Sequence, residues 1–227
     1  MIPVHVVLSV AVSVDGYLDD RAPERLVLSD PADLDAVDEL RASCDALLVG
    51  AGTVRADDPR LLVRSPDRVA RRIADGRTPQ PMKLTVTRSG ELSPQASFFT
   101  VGETRKVVLC GSSSAKALAD RVGALAEVVP LPEEIPLAAG VLERLSDLGV
   151  ERLLVEGGSR IATSFLEAGA VDEVRMAVAP FFVGDAEAPR FTRPARFPHH
   201  SRERMQLAAM ARLGDTAVIW YRLRRSV

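Results

Sequence analysis

The chain has 227 residues, 47% hydrophobic and 26% charged, proportions that exclude global disorder and fit one large globular domain or two very small ones. Its 29 basic and 31 acidic residues leave a formal charge of −2, without the basic excess that a polyanion partner demands. Cys44 and Cys110 form no C-x-x-C, and His5, His199 and His200 form no H-E-x-x-H or H-x-E signature, so neither a disulfide scaffold nor a metal site is expected.

The apolar run from Ile2 to Val14 is too short to cross a membrane and resembles no processed leader, so a cytoplasmic protein is expected. Within it Val4, Val6, Leu8, Val10, Val12 and Val14 alternate with a second face that narrows to Ser9, Ala11 and Ser13. The period of two predicts a strand. The small residues suit either the approach of a ligand or the packing of a helix. Ser29-Asp30-Pro31 opens a helix with a cap and a first-turn proline. Leu34, Val37, Leu40 and Cys44 form its apolar stripe, and Arg41 falls near the middle of that stripe. A cation there must find a partner, an anion or a path to solvent.

Asp45–Gly50 reads as a buried strand, and the polar stretch from Arg64 to Met82 as a turn-rich surface excursion. Strands follow at 83–87, 106–110 and 127–129, with a helix near 114–125. Pro136 starts a helix with Val141, Leu145 and Leu148 on one face. A strand at 152–155, a helix at 159–168 and a strand bearing Val174, Met176 and Val178 come next. Met205–Leu213 and Thr216–Leu223 flank Gly214-Asp215 as an antiparallel hairpin. The alternation predicts one α/β domain over residues 1–227, with a mainly parallel sheet and an antiparallel edge.

Two strand ends run into glycine before a helix, Val49-Gly50-Ala51-Gly52-Thr53 and Val155-Glu156-Gly157-Gly158-Ser159. Each could admit a phosphate to a helix N-terminus or serve tight packing alone. Arg55 stands where a Rossmann motif needs its third glycine, and no Gly-Lys-Ser/Thr completes a P-loop. Asp57-Asp58-Pro59 reads as a turn and cap, or as carboxylates that balance a developing cation. Arg64 could hold a phosphate, and Thr87-Arg88-Ser89 would suit an extra phosphate such as that of NADP. Of the 29 basic residues only Lys83, Lys106 and Lys116 are lysines, a bias toward planar, bidentate anion contacts.

Together these segments resemble the riboflavin-pathway pyrimidine reductases, the family that includes the reductase half of RibD. The resemblance rests on Ser13–Gly16, Ser29–Pro31 with Leu40–Ala42, Val49–Leu61, Val155–Gly158, Ala168–Val174 and Ala179-Pro180 with Gly184. It implies a three-layer, dihydrofolate-reductase-like domain with helices on both faces of its sheet, working as a homodimer with NADPH. It also implies reduction of 5-amino-6-(5-phosphoribosylamino)uracil at C1′ of the ring-opened imine. On that pattern Val12, Gly52, Thr53, Asp57 and Arg88 match cofactor contacts. So do Gly157, Gly158, Ser159, Arg160, Ile161, Ala162, Thr163 and Ser164. Arg41, Leu61, Arg64 and Glu156 match substrate contacts, and Asp57 is the candidate for stabilising the iminium. The chain departs from the pattern at Ser9 and Tyr17, where many members carry lysines, and at Arg25, where a serine is usual. Those departures keep open a reductase of a folate, another pterin or a secondary-metabolism pyrimidine; a third reading, a nucleotide-binding module without catalysis, is disfavoured by the retention of Asp57 and Glu156 beside the arginines.

Overall fold

The computed structural model describes residues 3–24 and 26–224. Arg25, named above for its departure from the family pattern, and Ile2 lie outside them. In chain order the elements are β1 (His5–Ser13), α1 (Pro31–Ser43), β2 (Ala46–Gly50), α2 (Ala51–Asp57), α3 (Pro66–Ala74), β3 (Met82–Thr87), α4 (Ser97–Thr100) and β4 (Lys106–Gly111). Then follow α5 (Ser112–Val122), β5 (Glu127–Leu131), α6 (Leu137–Asp147), β6 (Arg152–Glu156), α7 (Ser159–Glu167), β7 (Glu173–Ala179), β8 (Gln206–Leu213) and β9 (Thr216–Arg222). Hydrogen bonding orders the strands β5-β4-β3-β2-β6-β1-β7-β9-β8. The expected α/β sheet, mostly parallel and ending in an antiparallel hairpin, is the one that forms.

The chain divides into two compact units, one formed chiefly by Asp38–Leu154, the other by His5–Val37 with the residues from Val155 onward. In the first, β2, β3, β4 and β5 run parallel with Gly50 beside Val86, Thr87 beside Cys110 and Gly111 beside Leu131. Leu47, Leu48, Leu84, Val107, Val108 and Leu109 are fully buried in these strands. The register brings the ends of β2, β3 and β4 to one edge, where α2 and α5 start directly from Gly50 and Gly111.

The stretch 64–82 is a correction to the sequence reading, because α3 occupies half of it. Ser65 accepts from the N–H of Arg68, and Pro66 takes the first turn, a start signal that its polar composition masked. The face that α3 buries is cationic. Arg72 is 2% exposed and donates to the carbonyls of Ala42, Cys44 and Thr78. Arg77 donates to Ala42, Ser43 and the Asp45 carboxylate. Two arginines thus satisfy the carbonyls that end α1, where positive charge is favoured.

The expected stripe of α1 is also corrected. Leu40 and Cys44 are buried, but Leu34 is exposed, while Asp33 and Asp38 are buried. Each aspartate has an arginine, and the pairing explains why a carboxylate replaces a hydrophobe there. In the second unit β1 and β7 run parallel, and Ser9 lies beside Arg175. Arg175 is 2% exposed and donates to the Asp33 carboxylate. The buried alternation of β7 is accordingly Arg175, Ala177 and Ala179, with Val174 also buried and Met176 and Val178 half-buried.

Candidate active site

In the first unit α2 leaves β2 with Gly50 as its N-cap and no side chain on its first N–H groups. Gly52 has an ordinary helical backbone, and a Cβ placed on it would meet nothing within 4 Å. Neither backbone strain nor packing therefore calls for glycine, and the space beside it stays open. Thr53 and Asp57 follow on the same short helix, both half-buried. Asp58 ends it in the left-handed conformation at φ 41 and accepts from the N–H and hydroxyl of Ser97 at 2.6 and 2.7 Å. The paired carboxylates thus separate in role, with Asp58 acting as the turn and cap. Those bonds hold its carboxyl below the usual carboxylate range.

The segment after Pro59 is pinned to α1 and to the 78–80 turn. Leu61 is buried at φ 49, a conformation that strains a leucine unless its surroundings enforce it. Those surroundings are the bonds that follow. The Leu62 carbonyl accepts from Arg41 at 3.3 Å. Gln80 binds the N–H and C=O of Val63 at 2.8 and 3.0 Å. The N–H groups of Arg64 and Ser65 donate to Asp38 at 2.6 and 3.1 Å.

Burial opposes charge on Asp38, but these N–H groups and the Arg68 guanidinium prevail and hold its carboxyl below the ordinary range. Arg41 of α1 and the segment bearing Leu61 and Arg64, which the resemblance groups together, are thus tied by the Leu62 carbonyl and by Asp38. The Arg64 side chain is 57% exposed, with its Nε 3.6 Å from Asp38, so its guanidinium is anchored yet open to an anion. Arg88, at the carboxyl end of β3, is exposed, and its carbonyl accepts from Ser114.

In the second unit the Glu156-Gly157-Gly158 turn leads into α7. Gly157 and Gly158 adopt φ of 72 and 87, which side chains resist. No side chain caps α7, so its first N–H groups and positive dipole end fit a phosphate chemically. Within the predicted stretch the side chains of Ile161, Ala162 and Thr163 are buried. Arg160 is exposed, and Ser159 and Ser164 are half-buried. Ser159 donates its hydroxyl to the Arg190 carbonyl, and Thr163 receives the N–H of Arg193 at 2.9 Å. Val12 is buried in β1, and Glu156 is half-buried at the end of β6.

The loop after β1 shows groups that sequence reasoning missed. Asp15 accepts from the Ser13 hydroxyl at 2.5 Å and from the N–H groups of Val183 and Gly184 at 3.1 and 2.8 Å. Desolvation works against its charge, yet these bonds win and hold the carboxyl at about 2. Arg190 lies 4.4 Å over the Tyr17 ring and donates to its hydroxyl at 2.6 Å. A cation therefore stands beside the position where many family members place a lysine. Only the departure at Tyr17 hinted at this, since Arg190 lies 173 residues away. Among the described residues no cluster of His, Cys, Asp and Glu could hold a metal ion, and no helix is long and apolar enough to cross a membrane.

The sequence model of the family described as the RibD C-terminal domain matches residues 4–219. A 2,5-diamino-6-ribosylamino-4(3H)-pyrimidinone 5′-phosphate reductase from Archaeoglobus fulgidus is 36% identical over 185 residues, 82% of this chain and 84% of its own. The protein of the same name from Methanothermobacter thermautotrophicus is 37% identical over 187 residues, 81% of each chain. Among solved structures, a pyrimidine reductase-like protein from Corynebacterium diphtheriae matches with a TM-score of 0.81 at 19% identity, covering 99% of this chain and 93% of that one. At that identity the likeness shows the fold.

Proposed function

The chain belongs to the RibD C-terminal domain family, and from that premise we propose that it is an NADPH-dependent oxidoreductase of riboflavin biosynthesis. Its substrate on this reading is 5-amino-6-(5-phosphoribosylamino)uracil, reduced to the ribitylamino product. It acts as one reductase domain, in a cytoplasmic homodimer.

The observation that carries the reading is the pinned 58–65 segment, tied to α1 by Arg41 at the Leu62 carbonyl and by Asp38 at the N–H groups of Arg64 and Ser65. Two guanidinium groups on a fixed frame suit the 5′-phosphate, and binding that remote group positions C1′. Leu61 in the first unit and Glu156 in the second each match a family position for the phosphosugar and pyrimidine. Gly52, Thr53, Asp57 and Arg88 in the first unit match family positions for the cofactor, and in the second unit so do Val12 and the first turn of α7 after Gly157-Gly158. Bound NADPH would supply the hydride that reduces C1′ of the ring-opened imine. Asp57 stabilises the cationic imine carbon as charge develops on it. Preorganisation of the arginines excludes solvent disorder at the phosphate and leaves the sugar one orientation.

A second substrate is favoured by the names of the two relatives quoted above, whose pyrimidinone carries a 2-amino group in place of the uracil oxygen. The two share the ribosylamino C1′ and the phosphate. Oxidation of NADPH by the purified protein is the test, with the phosphoribosylaminouracil, its 2-amino counterpart and dihydrofolate supplied separately. Turnover of the uracil supports the assignment as written. Turnover of the 2-amino compound alone moves the reaction ahead of deamination. Turnover of dihydrofolate alone, or of none, refutes the reading.

A further inference from the structure

Among the described residues only two that are not glycine have a left-handed backbone, Asp58 at φ 41 and Leu61 at φ 49. Both lie in the short segment of the first unit that carries Leu61 and Arg64. Such backbone persists only where its surroundings hold it on both sides. Downstream, Arg41, Gln80 and Asp38 grip residues 62–65. Upstream, the hold comes from residues 97–104, between β3 and β4 in the chain.

The core of the first unit fixes those residues in place. Phe98 and Phe99 of α4 are buried, their rings edge to face with centroids 4.9 Å apart. Lys83, fully buried in β3, donates to the Val101 carbonyl at 2.6 Å and lies 3.5 Å from that of Phe98, supplying donors that the end of α4 lacks. The Thr104 hydroxyl donates to the Pro81 carbonyl at 2.7 Å. This fixed piece meets the left-handed turn twice. Ser97 gives its N–H and its hydroxyl to the two oxygens of Asp58 at 2.6 and 2.7 Å. At Gly102 a Cβ would stand 2.5 Å from Cδ2 of Leu62, so the bare backbone lets Leu62 lie against it. Asp58 and Leu62, the two residues so held, bracket Leu61.

We propose that residues 97–104 are a positioning element of the substrate site, and that Ser97 is the positioning residue that keeps Leu61 in its left-handed conformation. This deepens the proposed function, on which it rests. Ser97 touches neither substrate nor cofactor on this view. Its hold reaches Leu61 through Asp58, whereas Asp57 precedes that contact as the last residue of α2. Releasing the turn therefore weakens substrate binding and spares the hydride step.

Ser97→Ala in the full chain tests this, with Ser97→Thr as the variant that keeps the hydroxyl. Ser97→Ala should raise KM for the phosphoribosylaminouracil about 10-fold, the scale of one hydrogen bond to a charged group. Its kcat and its KM for NADPH should not change, and Ser97→Thr should restore the wild-type KM. Hydrogen exchange of the ligand-free protein, read by mass spectrometry, should show the amides of residues 60–65 exchanging about 10-fold faster in Ser97→Ala. Unchanged exchange in β2 and β3 shows that the variant still folds. Unchanged exchange at 60–65, a raised KM that Ser97→Thr leaves raised, or a kcat that falls while KM stays put overturns the proposal. Exchange needs no substrate, so the two readings fail separately. A wild type that turns over no pyrimidine counts against the reductase, while the 60–65 amides still decide whether Ser97 holds the turn.

Discussion

Both oxygens of the Asp58 carboxylate accept hydrogen bonds from Ser97, whereas Asp57, one residue earlier, ends α2 half-buried. The adjacent acids should therefore separate by experiment. Asp57→Asn should lower kcat by roughly 10²–10³-fold, the scale of removing one preorganised electrostatic group, with NADPH affinity changed far less. Stopped-flow turnover beside a binding isotherm reads both. Equal turnover removes Asp57 from the mechanism. Asp58→Asn should lower the melting temperature and leave kcat alone.

Arg64→Ala should raise KM for a phosphorylated substrate by roughly 10–100-fold, since a hydrogen bond to a charged group contributes about 1.5–3 kcal/mol. Stability should change little, because Asp38 keeps the backbone N–H groups of residues 64 and 65. Arg41, Leu61, Arg64 and Asp57 could be singled out in the sequence because their motif is contiguous or sits on one helix face. Arg190 was not. Its relation to Tyr17 is made by a loop 173 residues away, and no local period records such a partner.

At the scale of elements, the glycines of the two turns differ in what they are for. Gly157 and Gly158 serve backbone conformations that only glycine adopts readily. Gly52 is helical with open space where a Cβ would stand. Gly52→Ala should therefore stabilise the fold by up to about 1 kcal/mol, the helix-propensity gain, while raising KM for NADPH. Chemical denaturation and cofactor kinetics on one preparation read the two effects. An unchanged KM would mean that the opening beside Gly52 faces only water.

Strands and helices were mostly legible from periodicity, because buried hydrophobes repeat at 2.0 or 3.6 residues. The failures have a common cause. In 64–82 and on α1 the buried positions include Arg72, Asp33 and Asp38, and a pattern that scores charge as solvent-facing must misplace them. The Asp33–Arg175 pair spans 142 residues, so neither partner announces the other.

Taken over the whole molecule, the ionisable groups give a stability profile with two sloping sides. Asp38, Glu39 and Asp58 in the first unit, and Asp15 and Asp185 in the second, all have carboxyls held below their ordinary values. A carboxyl depressed in the folded state binds its proton later than in the unfolded chain. It therefore stabilises the fold above its ordinary value near 4, and that contribution is lost as pH falls through the folded value. For Asp15 the window runs from 3.8 down to about 2.

Lys83 works at the other end. It is fully buried and donates to the Val101 carbonyl at 2.6 Å. Burial, then Lys106 and Arg41, lower it from 10.5 to about 8. The folded chain sheds that proton first, so stability rises as pH climbs from about 8 toward 10.5, the charged form being the one that burial penalises. Urea unfolding followed from pH 2 to 10 should show a steep acid limb and a shallow alkaline rise. Asp38→Asn should flatten the first, and Lys83→Met should abolish the second. Because the depressed carboxyls belong to both units, fluorescence of Trp220 in the second unit and circular dichroism of the whole chain should both report acid loss. A limb seen by one probe alone would place the acid-labile contacts in a single unit.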